Sequence, residues 1–219
     1  ARLDLRVFGP LMRAARSKGI SVLALPHSLS LFAGRTKAFT RAYNNIKGAD
    51  FDAIVVPHDR LKDDMITHGM DSASIKVLGS ARYCHEWVQT LHKIVVRESP
   101  LVNKKDGRLK VLYMDRGADR HGQLRDSVER TLLTVAKLDF VNLAYKPHPR
   151  SHRVHLTELI GNVTIASEAD SVNLVRWADA VIGTVSSVLV EALVQDRTLI
   201  YPAFFDDEKM LFDEFGACW

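Results

Sequence analysis

The chain has 219 residues, 47% of them hydrophobic and 26% charged, with a formal net charge of +4. That is enough apolar residue for one large domain or two small ones, and the mild basic excess, spread along the chain, suits an anionic small ligand better than a nucleic-acid groove. Two cysteines make no disulfide framework, and no apolar run reaches the roughly 18–20 residues that cross a bilayer. These features fit a cytoplasmic protein with no transmembrane segment, able to associate peripherally with the inner membrane face.

Short apolar runs alternate with amphipathic stretches. Residues 8–18 read as a helix ended by Gly19, and 20–25 (ISVLAL) as a buried strand. Residues 36–47 have helical spacing, 51–56 (FDAIVV) a strand pattern, and 60–68 a helix stopped by Gly69. A short strand at 75–78 and a helix over 83–96 close the first series. Residues 97–108 are polar and contain Pro100, Asn103 and Gly107, the composition of a linker. The pattern then restarts with strands at 109–113, 140–145, 163–166, 180–182 and 198–201. Helices at 120–138, 155–160, 171–177 and 187–195 fall between them. Strands alternating with helices imply parallel sheets covered on both faces. The expected fold is therefore α/β, with two doubly wound parallel-sheet domains facing each other. The domains are expected at 1–96, read as shortened at its start, and at 109–219, joined by a linker at 97–108.

In open parallel sheets ligands bind beyond the carboxyl ends of the strands, so the residues just after each strand matter most. Residues 145–150 (YKPHPR) place His148 between two prolines that restrict the backbone, with Lys146 and Arg150 on either side. His and Arg donors suit phosphate oxygens; the plain alternative is a rigid surface turn with solvated charges. Residues 183–187 (GTVSS) form a strand-to-helix turn. There Gly183 permits close approach, Thr184, Ser186 and Ser187 offer hydroxyls, and the helix start offers N–H groups to an anion. The plain alternative is that a serine there is only a helix cap. Glu191 is the one polar residue of an otherwise apolar helix, 188–194. A lone carboxylate in such a place needs hydrogen-bond donors. A ribose diol supplies them, and so does a salt bridge to a core Arg or Lys. Arg116 follows the strand at 109–113 and is a further candidate for the substrate. His27 ends the strand at 20–25 and suits either a general base, since its pKa lies near operating pH, or a structural role. The remaining histidines show no metal-ligand spacing, so no metal site is expected. Asp115 and Asp119 are the carboxylates near a strand end that proton abstraction from a sugar carbon would need.

In their order these segments resemble the GT-B superfamily of bacterial surface-carbohydrate enzymes, and most nearly the CDP-glycerol glycerophosphotransferases. His27-Ser28 is similar to a His-Gly at a first-domain strand end, and Gly79-Ser-Ala-Arg-Tyr83 to a Gly-x-Pro-Arg. Residues 146–149 match a Lys-x-His-Pro, 184–187 resemble an Asp-Tyr-Ser-Ser, and 200–207 a strand ending in aromatics and Asp. UDP-GlcNAc 2-epimerases and bacterial polysialyltransferases share parts of the pattern. Ser28 and Thr184 depart from it, where the family has Gly and Asp. The resemblance implies a transferase of surface-polysaccharide (capsule) biosynthesis. It would move a sugar or polyol-phosphate group from a nucleotide-activated donor to a carbohydrate or lipid-linked acceptor. It also implies that His148 and the serine pair bind the donor phosphates, that His27 takes part in catalysis, and that no cofactor is needed beyond the donor as substrate. An epimerase-type isomerase and a non-catalytic nucleotide-binding domain are the alternatives.

Overall fold

The computed structural model describes residues 5–26, 51–95, 101, 107–115, 125–148, 163–184, 186–205 and 210–219. The helices expected at 36–47 and 155–160 lie outside them. The chain divides into two compact units, one ending at Ala81 and the other beginning at Arg82.

In the first unit, helix α1 (Leu5–Ser17) stops at Gly19, whose φ of 65° lies in the left-handed region that favours glycine. Strands β1 (Leu23–Ala24), β2 (Ala53–Val56) and β3 (Ile75–Val77) form a parallel sheet in that order. Helix α2 (Asp59–Thr67) connects β2 to β3 and packs Met65 with Ile54, Val56 and Ile75. Its N-cap is His58, whose Nδ1 accepts from the Leu61 amide at 3.1 Å, so this histidine has a local structural job. The run at 20–25 is not the buried strand its composition suggests. Only two residues pair, Leu23 and Leu25 are exposed, and the strand forms one edge of the sheet.

The second unit opens with a short 3-10 turn (Ala81–Tyr83) and helix α3 (His85–Ile94). Strands β4 (Leu109–Met114), β5 (Val141–Lys146), β6 (Thr164–Ile165), β7 (Ala180–Gly183) and β8 (Thr198–Ile200) make a parallel sheet in the order β6-β5-β4-β7-β8. Helices α4 (Arg125–Ala136), α5 (Ser171–Trp177) and α6 (Val188–Val194) connect them. Strand alternation sends Val111, Tyr113 and Ile182 to one face, where they meet Val128 and Leu132 of α4 and Phe205. On the other face a Cβ added to Gly183 would lie 2.6 Å from Leu189 of α6. Helices therefore cover both faces, as a doubly wound sheet requires. Trp219 bonds beside β8, its amide to Leu199 O and its carbonyl from the Tyr201 amide.

The sequence assigns α3 to the first half, ahead of a linker at 97–108. The compact units part earlier, between Ala81 and Arg82, because α3 packs on α5 and carries His92, whose Nε2 donates to Gln195 Oε1 at 2.9 Å. No described helix is long and apolar enough to cross a membrane.

Candidate functional site

Strand order gives the candidate place for a site. From β4 the chain moves outward through β5 to β6, then returns across β4 to start β7 on the other side. The reversal between β4 and β7 is the switch point, where the connections leave in opposite directions and open a crevice beyond the strand ends. Met114 pairs with both Lys146 and Gly183, so the three central strands run out level. Asp115, Pro147 and Thr184 are the next residues along each. The ends of β5 and β7 lie two strand spacings apart, about 10 Å.

At the end of β7, Gly183 is needed for packing. Leu189 is fully buried, and its Cδ2 occupies the space a Cβ would take. Thr184 is 1% exposed and its Oγ1 has no hydrogen-bond partner among the described residues. A hydroxyl left so costs about 1–3 kcal/mol, which an isosteric valine would avoid. Ser187 holds the N-cap position of α6 with αR dihedrals and makes no side-chain cap bond. Ser186 Oγ accepts from the Val188 amide at 3.4 Å, Ser186 O from Leu189 N at 3.2 Å, and Ser187 O from Val190 N at 3.2 Å. The first amides of α6 are thus engaged within the turn.

One turn further on, Glu191 Oε1 accepts from Arg82 Nη2 at 2.9 Å. The carboxylate is largely withdrawn, its side chain 15% exposed, while that of Arg82 is 56% exposed. Of the two partners weighed from sequence, the salt bridge is present. It comes from a solvent-facing arginine rather than a core one, and it occupies one oxygen of two. Next to it, the Tyr83 hydroxyl donates to Ser187 O at 3.3 Å. Burial raises the Tyr83 pKa, with the Ser187 side chain acting in the opposite direction.

At the end of β5 the polar groups are turned on the protein itself. Lys146 is 9% exposed and its Nζ donates to the Ser167 carbonyl, in the loop between β6 and α5. Burial lowers its pKa, opposed by the carboxylates of Glu168 and Asp170. Lys146, a candidate for the ligand from sequence, here bonds a neighbouring loop. The Tyr145 hydroxyl donates to Asp115 Oδ2 at 2.7 Å. Burial, then the Asp115 charge, pushes the phenol far above its ordinary pKa, so it remains a donor across the neutral range. Tyr113 stacks on Tyr145 with ring centroids 5.7 Å apart. The pairing of Tyr145 with Asp115 is the feature of this edge that sequence reasoning missed. Only the register, which sets Tyr113 beside Tyr145 and brings both strands out level, makes it visible.

His148 stands two residues beyond β5, partly buried. Gly183, Thr184, Ser186, Ser187 and Glu191 share the β7 edge, and Lys146 and His148 the β5 edge, so the level strand ends bring these seven together. His27, Arg116 and Arg150 lie outside the described residues, as does Asp119. Among the described residues no group of three His, Cys, Asp or Glu side chains is arranged to hold a metal.

No protein-family model and no curated protein matches the sequence. Solved structures do match the fold. The Staphylococcus aureus MnaA protein, solved with UDP, superposes with a TM-score of 0.68 at 12% identity, over 94% of this chain and 57% of that one. A candidate UDP-N-acetylglucosamine 2-epimerase from Listeria monocytogenes gives 0.64 at 15% identity, over 90% and 61%. The Neisseria meningitidis UDP-GlcNAc 2-epimerase, bound to UDP-GlcNAc, gives 0.61 at 13% identity, over 87% and 55%. The chain therefore spans a little over half the length of the structures it resembles, and the likeness establishes the α/β fold with parallel sheets.

Proposed function

We propose that this chain binds a nucleoside-diphosphate sugar beyond the carboxyl edge of the five-stranded sheet and belongs to an enzyme that acts on it. The observation that carries this is the switch point between β4 and β7. Thr184 Oγ1, buried with no described partner, and Glu191, bonded to Arg82 through one oxygen, stand at the place where a doubly wound sheet takes its ligand. Glu191 accepts from the ribose, while His148, Ser186 and Ser187 take the diphosphate, with Arg116 and Arg150 as further cations. The work on the phosphates is positioning and charge stabilisation. The similar structures solved with UDP or UDP-GlcNAc support the same class of ligand.

Two chemistries fit this site. Epimerisation at a carbon of the bound sugar is favoured by Asp115, a carboxylate at the β4 end that the Tyr145 phenol orients. A carboxylate is the proton acceptor that such a step needs, and the named 2-epimerases share the fold. Transfer of a sugar or polyol-phosphate group to an acceptor is favoured by the motif order, with His27 as base and a surface-polysaccharide or lipid-linked acceptor. Incubating the protein with UDP-GlcNAc in heavy water separates them. Deuterium entering the sugar supports epimerisation. Intact, unlabelled donor that is consumed only when an acceptor is added supports transfer. Failure of UDP or UDP-GlcNAc to bind at all contradicts the shared premise.

A further inference from the structure

The turn Ala81–Tyr83 lays two consecutive side chains along the segment from Ser187 to Glu191, more than a hundred residues later in the chain. Tyr83 donates to the Ser187 carbonyl, and Arg82 donates to Glu191 Oε1 at 2.9 Å. The two are also joined to each other, since the Arg82 guanidinium carbon lies 5.5 Å from the Tyr83 ring centroid. An ion pair with one partner in solvent contributes only about 0–1 kcal/mol to stability. Its geometric effect is larger. A glutamate side chain on a helix samples several rotamers, and a fixed guanidinium selects among them.

We infer that Arg82 is a positioning residue of the nucleotide site, binding one oxygen of Glu191 so that the other is held ready for a ribose hydroxyl. This rests on the nucleotide reading above. Glu191 is largely withdrawn from solvent, and the Arg82 bond engages only one of its two oxygens, which leaves the other able to accept from a ligand. The Arg82 side chain itself is 56% exposed. The consequence is discrimination between a ribose and a deoxyribose.

The test titrates UDP and 2′-deoxy-UDP into the wild-type protein and into Arg82→Ala, Arg82→Lys and Glu191→Gln. The wild type is expected to prefer UDP by about tenfold, the worth of one hydrogen bond to a charged acceptor. Arg82→Ala should reduce that preference to about twofold, and Arg82→Lys should restore part of it. Glu191→Gln should weaken UDP more than 2′-deoxy-UDP. Because Arg82 is more than half exposed, its variants should keep the wild-type melting temperature, and the lysine variant covers the case in which alanine disturbs the turn. If Arg82→Ala keeps both full affinity and full preference, the pair is only a surface clasp and the inference falls alone. If it binds UDP more tightly, Arg82 blocks the carboxylate and the inference is reversed. If the wild type binds neither nucleotide, the nucleotide reading falls and takes the inference with it.

Discussion

The ends of β5 and β7 flank the same central strand, and both carry a run of polar residues, yet the structure uses them differently. At the β5 end the groups close on the protein. Tyr145 donates to Asp115 and Lys146 to the Ser167 carbonyl. At the β7 end the bonding is less complete. Thr184 has a hydroxyl without a described partner, and Glu191 spends one oxygen on Arg82. A polar strand end is therefore not in itself a binding residue set.

The sharpest way to break this comparison is to remove hydroxyls from the two stacked tyrosines. Tyr145→Phe should lower unfolding free energy by about 1.5–3 kcal/mol, because a hydrogen bond to a carboxylate is lost. Tyr113→Phe should leave stability unchanged or raise it, since the Tyr113 hydroxyl is buried with no described partner. Urea unfolding of the two variants gives the difference directly, and equal losses would mean that the partner at Asp115 does not count.

A smaller effect is expected at Thr184. Thr184→Val keeps the shape and removes the unsatisfied hydroxyl. Stability should stay level or rise by up to about 1 kcal/mol, while UDP affinity falls about three- to tenfold. Unchanged affinity would show that the hydroxyl serves no ligand. The smallest effect is spectroscopic. Burial raises the pKa of Tyr113, Tyr145 and Tyr83. The folded state thus holds these protons more tightly than the unfolded state. Their contribution is complete below the unfolded phenol pKa of about 10 and is lost as pH rises through the higher folded values. Absorbance titration should show these phenols ionising only as the protein unfolds in alkali, and early ionisation of all five tyrosines would contradict the burial.

Much of the fold was legible because apolar runs mark parallel strands that are covered on both faces. Helix α5 has the limits its spacing predicts, and β4, β5, β7 and β8 fall within a residue or two of theirs. What failed depended on neighbours distant in sequence. The run at 20–25 looks buried, but a two-residue edge strand leaves Leu23 and Leu25 exposed. Helix α3 precedes the polar stretch, yet its contacts belong to the second unit. At the candidate site, the lone Glu191 announced the need for a donor, and the structure supplies one. That the donor is Arg82 could not be read, because it lies 109 positions away. Nor could the sequence show that Lys146 is committed to Ser167, since a lysine between a strand and a proline looks solvent-bound until the loop beside it is placed.

The central claim is that the β7 edge binds the nucleotide while Lys146 at the β5 edge serves the scaffold. Calorimetric titration of UDP into wild type, Glu191→Ala and Lys146→Met tests it most directly. The account predicts that Glu191→Ala weakens UDP by about tenfold or more while Lys146→Met keeps affinity within about twofold. A protein that loses UDP on Lys146→Met and keeps it on Glu191→Ala would contradict it.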